Sequence, residues 1–267
     1  METLYYLIMS VMNDFDDAGG DPFGVSYAAT RHPDPRIAVK IYEALGDAHS
    51  IANVGAGAGS YEPPDREVLP IEPSVRMISQ RGPELPAAIK GHAEDLPLAS
   101  DSVDAALACL TLHHWADWRV GVQELRRVAR KRVVIFTYDH SYAERFWLLR
   151  DYLPKLGRLD VARFPNIAEQ RVATGDEVRT EVVPIPHDCE DGFLAAYWRR
   201  PHAYLDETVR AGISMFALTP KPLLAKGLER LRAELTNGAW ARRHDDLLDV
   251  PQLDLGYRLL VSDFDSH

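Results

Sequence analysis

The chain opens on an apolar run, Leu4-Tyr5-Tyr6-Leu7-Ile8-Met9, and then turns acidic and glycine-rich through Asp16-Asp17-Ala18-Gly19-Gly20-Asp21-Pro22. His32-Pro33-Asp34-Pro35 leads into a stripe of Ile37, Ile41 and Leu45 that predicts a helix over 36–45, stopped by Gly46. Short apolar runs then alternate with helical patterns. Strands are expected at 50–54, 67–72, 87–90, 103–109 and 132–137, with Pro70 an unusual strand residue. Ser74 reads as the N-cap of a helix over 74–80. Asp117 caps another, whose Trp118, Val122, Leu125 and Ala129 share one face. This alternation predicts an α/β fold: a doubly wound, mostly parallel sheet with helices on both faces.

Beyond residue 140 the pattern changes. Residues 141–175 read as a helical insertion and 177–185 as a strand. Residues 190–248 are helical again, with Pro220 opening a stripe of Leu223, Leu224, Leu228, Leu231 and Leu235. A run at 256–261 closes the pattern as a late strand, expected to pair antiparallel. The expectation is therefore a Rossmann-like sheet of about seven strands with the last antiparallel. It forms a single domain over 1–267, with an N-terminal cap at 1–35, a ligand-binding core at 36–140 and helical insertions at 141–175 and 190–248 on the substrate side.

Composition narrows the function. The chain has 267 residues, 46% hydrophobic and 26% charged, which is ordinary for a globular protein with a sizeable core. Forty acidic residues against thirty Lys+Arg give a net charge of −10, which argues against a nucleic-acid partner. Two cysteines, Cys109 and Cys189, make neither a disulfide framework nor a thiolate cage and fit a reducing cytoplasm. The N-terminal apolar run is short, and Glu2 stands where a signal peptide carries a basic residue. No apolar run approaches the ~18 residues of a membrane span. A cytoplasmic monomer or homodimer with no membrane partner is expected.

The strongest motif is Asn53-Val54-Gly55-Ala56-Gly57-Ala58-Gly59-Ser60, at an expected strand-to-helix turn. Glycines there let a ligand approach the backbone. The spacing is G-x-G-x-G, and Ser60 takes the place of the third glycine of a dinucleotide fingerprint. Glu72 ends the second strand, where a carboxylate can accept both hydroxyls of a ribose. Gly91-His92-Ala93-Glu94-Asp95-Leu96-Pro97 follows the third strand, and Leu112-His113-His114-Trp115 the fourth. Together, over residues 36–140, these four elements resemble the class I S-adenosylmethionine (SAM) methyltransferases, and most closely their small-molecule, UbiE-like branch.

The resemblance implies SAM as cofactor and S-adenosylhomocysteine as product. It places Gly55, Ala56 and Gly57 under the methionyl part, Glu72 on the ribose, and Pro73 and Met77 beside the adenine. The Ala93 backbone would meet the adenine, Glu94 would belong to the same cofactor-binding segment, and the Leu110 carbonyl would meet the amino group. Asn53 and His92 stand where the family usually has acidic residues; each can still accept a hydrogen bond. Tyr27 and Arg31 lie one helical turn apart, and a guanidinium suits the cofactor's carboxylate, so both are expected to close over it.

Methyl transfer from a sulfonium is an in-line displacement, so catalysis is largely proximity and orientation. His113 is the candidate base. In some sugar O-methyltransferases of this group such a His works with an Asp where Thr137 stands; here the nearest acid, Asp139, comes two positions later, so a His–carboxylate dyad is not expected. That points to an acceptor that needs little base help, an electron-rich aromatic carbon or a nitrogen. Tyr5, Tyr6, Phe23, Tyr138, Trp147, Tyr152, Phe164, Tyr197 and Trp198 could hold an aromatic substrate, and Asn166 could orient a polar atom of it. No metal site is expected, because adjacent histidines do not share a face. Two competing readings are a nicotinamide-dependent oxidoreductase and a SAM-binding protein without catalysis.

Overall fold

The computed structural model describes residues 30–163, 165–175, 177–217 and 219–264. They divide into two compact units. One comprises 33–140, 163–183 and the segment from Gly256 onward; the other contains 141–162 and 184–255, with the described residues up to His32.

The first unit is built on seven strands: β1 Ser50–Val54, β2 Glu67–Glu72, β3 Ile89–Lys90, β4 Val103–Cys109, β5 Ala129–Tyr138, β6 Val178–Val182 and β9 Tyr257–Asp263. Their order is β3-β2-β1-β4-β5-β9-β6. β1 to β5 pair in parallel, and β9 runs antiparallel to both β5 and β6, as the late apolar run predicts. β4 is buried from Val103 to Ala108, the continuous apolar run of a strand covered on both faces. β5 starts three residues earlier than its apolar run: Ala129 pairs with Val103, and the polar Arg130 and Lys131 fall at a register shift before pairing resumes at Arg132. Ala129 therefore opens the strand and does not share the preceding helix's face.

Helices cover the two sides. α1 (Pro35–Ala44) buries Ile37, Ala38 and Ile41 and packs against β5 and β9. α2 (Val75–Ile78) is one turn long, with Ser74 Oγ capping Met77 N. α3 (Trp118–Val128) is capped by Asp117, which accepts from Arg119 N and Val120 N. Val122, Leu125 and Val128 of α3 pack on Ala52, Val54, Ala106, Ala108, Val133, Ile135 and Leu260. Each such burial is worth roughly 1.5–3 kcal/mol for a large apolar side chain.

Three expectations change. No helix follows the glycine loop: residues 55–66 are turns, and Glu67 already starts β2. The second concerns 141–175. The segment splits between the units, with the π-helical turn Leu148–Tyr152 and most of α4 (Pro154–Arg163) in the second unit. α5 (Ile167–Thr174) belongs to the sheet unit and packs against α3 and β9, with Ile167 and Ala173 on the sheet core. Finally, 177–185 is not one strand: β6 ends at Val182, and β7 (Ile185–Pro186) pairs with β8 (Gln252–Leu253) in a separate ribbon.

The second unit also holds α6 (Glu207–Ala211), α7 (Ser214–Ala217), α8 (Lys221–Thr236) and α9 (Ala239–Arg243). Leu224 and Leu231 of the expected leucine stripe are its buried members. Its centre is aromatic. Trp147 meets Tyr152, Tyr204 and Trp240 edge-on, and its indole N–H donates to the Trp198 carbonyl at 2.8 Å. Trp147, Tyr152 and Trp198, offered above as substrate contacts, are therefore buried packing.

One carboxylate ties the start of the sheet. Asp104 accepts from the backbone N–H of His49 at 2.9 Å and of Ser50 at 3.2 Å, and from Arg130 Nη2 at 2.9 Å. The His49 N–H, with Arg130 and Ser50, holds its carboxyl well below the usual carboxylate range against the opposing effect of burial. A lowered folded-state pKa gives stability that is full above the unfolded value near 4 and is lost as pH falls towards the lowered one. Asp104→Ala should lower the melting temperature at pH 7 by roughly 3–8 °C. The gap to wild type should stay constant from pH 8 to 5 and narrow below about pH 4; a gap that widened on acidification would contradict this linkage.

Candidate functional site

Val54 ends β1 and the chain turns sharply. Gly55 and Gly57 take φ of 71° and 54°, the left-handed region that side chains disfavour. Gly55 N and Ala56 N donate to the Ile71 carbonyl at 2.9 and 3.0 Å, clamping the loop to β2. A Cβ on Gly55 would lie 2.1 Å from Thr111 Oγ1, while one on Gly57 would meet only Met77 Cε, at 3.2 Å. Glu72 completes the clamp: its carboxylate accepts from Gly57 N at 2.8 Å and Ser74 N at 3.0 Å.

A buried polar network lies against this loop. Asn53 Nδ2 donates to Glu62 Oε1 at 3.0 Å. Arg81 grips the same carboxylate through Nη1 at 3.0 Å and Nη2 at 2.7 Å. This accounts for the amide at residue 53. An acid there would set two carboxylates side by side, which is costly when buried; the amide donates instead. Sequence reading missed Glu62, Arg81 and Thr111. Their significance lies in contacts between positions distant in sequence, which no local pattern marks.

The ends of β4 and β5 supply the opposite wall. Leu110 has φ of 51°, a strained conformation for a leucine, and its N–H donates to the Phe136 carbonyl at 2.7 Å. The chain continues into a 3₁₀ turn, Leu112–His114. His113 is half-buried there, its ring centroid 3.9 Å from that of the exposed His114. Thr137 is buried near the end of β5 and sits opposite Arg258 of β9.

The segment after β3 is anchored by α3. Ala93 is buried, His92 is exposed, and the two-residue bridge His92–Asp95 turns the chain. Glu94 Oε1 accepts from Asp117 N at 3.0 Å, so it ties this turn to the helix start. Leu96 N donates to Glu124 at 2.9 Å, and Arg127 Nη1 donates to the Leu98 carbonyl at 2.8 Å. The paired Arg127 holds the Glu124 carboxyl below its ordinary value.

Within the sheet unit the structure gathers Asn53, Gly55, Ala56, Gly57, Glu72, Pro73 and Met77 on one continuous stretch of bonded loops. Ala93, Glu94, Leu110, His113 and Thr137 lie at the carboxyl ends of neighbouring strands or just beyond them. Arg31 and Asn166 stand differently. Arg31 belongs to the other unit, and its guanidinium pairs at two points with the fully buried Asp191, the partner expected to be a cofactor carboxylate. Asn166 is exposed and caps α5, its Oδ1 accepting from Ala168 N at 2.8 Å. Tyr27, Tyr5, Tyr6, Phe23 and Phe164 lie outside the described residues.

The methyltransferase domain profile matches residues 52–137, the segment from the end of β1 to the end of β5. A crystal structure from Anabaena variabilis ATCC 29413, assigned as a methyltransferase of an antibiotic biosynthesis pathway, shares 37% sequence identity. It superposes with a TM-score of 0.81 over 88% of this chain and 99% of its own. This chain belongs to the class I SAM-dependent methyltransferases. YcgJ of Bacillus subtilis (strain 168), an uncharacterised methyltransferase, is 29% identical over 122 residues. That match spans 42% of this chain and about half of the curated relative, 48% of its length.

SAM is the family's cofactor, and the methyltransferase's own residues fit it. Gly57, Glu72 and the left-handed Leu110 lie at or just beyond the carboxyl ends of parallel strands, the end at which such sheets carry ligands. Gly55→Ala should weaken S-adenosylhomocysteine binding at least about tenfold, since it combines backbone strain with a clash into Thr111. Gly57→Ala should cost less, because the flexible Met77 terminus can move. Calorimetric titration of both folded variants checks this; the reverse order would show that the loop is not held as described.

Proposed function

We propose that this methyltransferase transfers the SAM methyl group to a small molecule, at a carbon, nitrogen or oxygen acceptor. The observation that carries the reading is the likeness to the Anabaena protein along nearly all of that protein's length, because its assignment to antibiotic biosynthesis is a small-molecule setting. The net charge of −10 supports the same class and disfavours nucleic acid as substrate. Among the described residues no helix is long and apolar enough to cross a membrane.

Bound SAM supplies an electrophilic methyl group on a sulfonium. The chain's work is to orient and to exclude water. Gly55, Gly57 and Glu72 fix the cofactor's position, while Leu110 and the 3₁₀ turn carrying His113 border the acceptor's approach. Thr137 offers a hydroxyl but no carboxylate to orient and charge-stabilise an imidazole. The acceptor we favour is therefore already nucleophilic, as an electron-rich aromatic carbon or an amine is. With Trp147, Tyr152 and Trp198 taken up in packing, the aromatic character of the substrate rests on this acceptor argument.

The wild-type protein should bind S-adenosylhomocysteine and not NADH in calorimetry. With methyl-labelled SAM it should give a labelled product from a panel of aromatic and amine metabolites. Binding without any labelled product across such a panel would favour a non-catalytic SAM-binding protein. His113→Ala should lower kcat by less than about a hundred-fold and leave the pH optimum in place. A loss beyond about a thousand-fold, with a near-neutral ionisation abolished, would instead make His113 the base and point to a hydroxyl acceptor.

A further inference from the structure

We propose that the Glu62–Arg81 ion pair holds the glycine loop in its binding conformation. Both are positioning residues for the cofactor, a role that rests on the methyltransferase reading above. The loop is built from residues that favour disorder. Asn53 to Ser60 contains three glycines and two alanines, and no helix follows to brace it. An unbraced loop of this kind must be ordered each time a ligand binds, and that ordering cost appears directly as lost affinity.

Arg81 supplies the brace from α2's far side. Its fork takes both oxygens of Glu62, at 3.0 and 2.7 Å. Nη1 also approaches the Gly57 carbonyl at 3.4 Å, and Nε and Nη2 donate to the Pro86 carbonyl at 3.2 and 2.9 Å. Glu62 carries the connection onward, accepting from Asn53 at the end of β1 through its carboxylate. Its backbone carbonyl accepts from the Tyr42 hydroxyl at 3.1 Å. One guanidinium thus ties the loop, the strand before it and the segment after α2 into one body. The two side chains are 5% and 2% exposed, so water cannot substitute for either partner. A lysine would keep the charge and lose the fork.

The experiment compares wild type with Arg81→Lys and with the double variant Glu62→Gln/Arg81→Gln, which removes both charges and strands neither. Each is titrated with S-adenosylhomocysteine and with 5′-methylthioadenosine, which lacks the amino-acid part placed over Gly55 and Gly57. Folding is checked by circular dichroism. Both folded variants should bind S-adenosylhomocysteine about tenfold or more weakly, with a clearly smaller loss for methylthioadenosine. Hydrogen exchange at 55–60 in the free protein should quicken while β4 is unaffected. Unchanged affinity in the folded variants, or equal losses for both ligands, would overturn the positioning role while leaving the methyltransferase reading intact. No S-adenosylhomocysteine binding by the wild type would sink both.

Discussion

The connection between β1 and β2 is the constraint from which the site follows. Residues 55–66 are all the chain has to leave one strand and start the next. Those twelve residues form turns and no helix. The loop has no helix behind it, and its backbone is fixed by the Ile71 carbonyl of β2 and by side chains. Two carboxylates do this from two directions. Glu72 takes the Gly57 and Ser74 N–H groups from the end of β2, and Glu62 joins the loop to Asn53 and Arg81. Each acid has its own set of partners that holds it in place at the loop.

Much of this was legible. The period of the apolar runs located β1, β2 and β4 within a residue or so, because buried parallel strands are apolar throughout. The caps Ser74 and Asp117 were readable from local chemistry, since each must satisfy orphan N–H groups of its helix. The glycine loop and Glu72 stood out because few residue types permit that geometry. What the pattern hid was pairing and tertiary use. The polar Arg130 and Lys131 enter β5 at a register shift, without an apolar signature. Trp147, Tyr152 and Trp198 look like a binding surface in sequence and serve as a packed core in space. Asn166 looked like a lone amide and is a helix cap. Glu62 and Arg81 gave no local signal, as their significance lies in a buried pair formed across nineteen positions of sequence.

The second unit is held by a different kind of chemistry. Its centre is a cluster of edge-on rings around Trp147, with the indole N–H groups of Trp147 and Trp198 satisfied by backbone carbonyls. Rings that large bury much apolar area with few rotatable bonds, which suits a unit whose only β pairing among the described residues is the short β7–β8 ribbon. Around it, Glu234 accepts from Tyr152 and is gripped by Arg230 and Arg243. Arg243 keeps the Glu234 carboxyl down at about 2, and burial pushes the Tyr152 phenol above its ordinary range, so neither changes charge under physiological conditions.

The placement of β9 has a consequence for how the molecule comes into being. It is the latest described strand to be synthesised, yet it lies between β5 and β6 and is hydrogen-bonded on both sides. Until it arrives, β5 presents an open edge and β6 has nothing to pair with. A nascent chain on the ribosome would thus hold β1 to β5 as an unfinished sheet through the whole synthesis of the second unit. Insertion of β9 closes that edge on both sides in a single event of large sequence separation, a slow kind of contact to make. In the interval the growing chain carries the pairing surface that edge-to-edge association exploits, which makes this stage the natural point for chaperone capture.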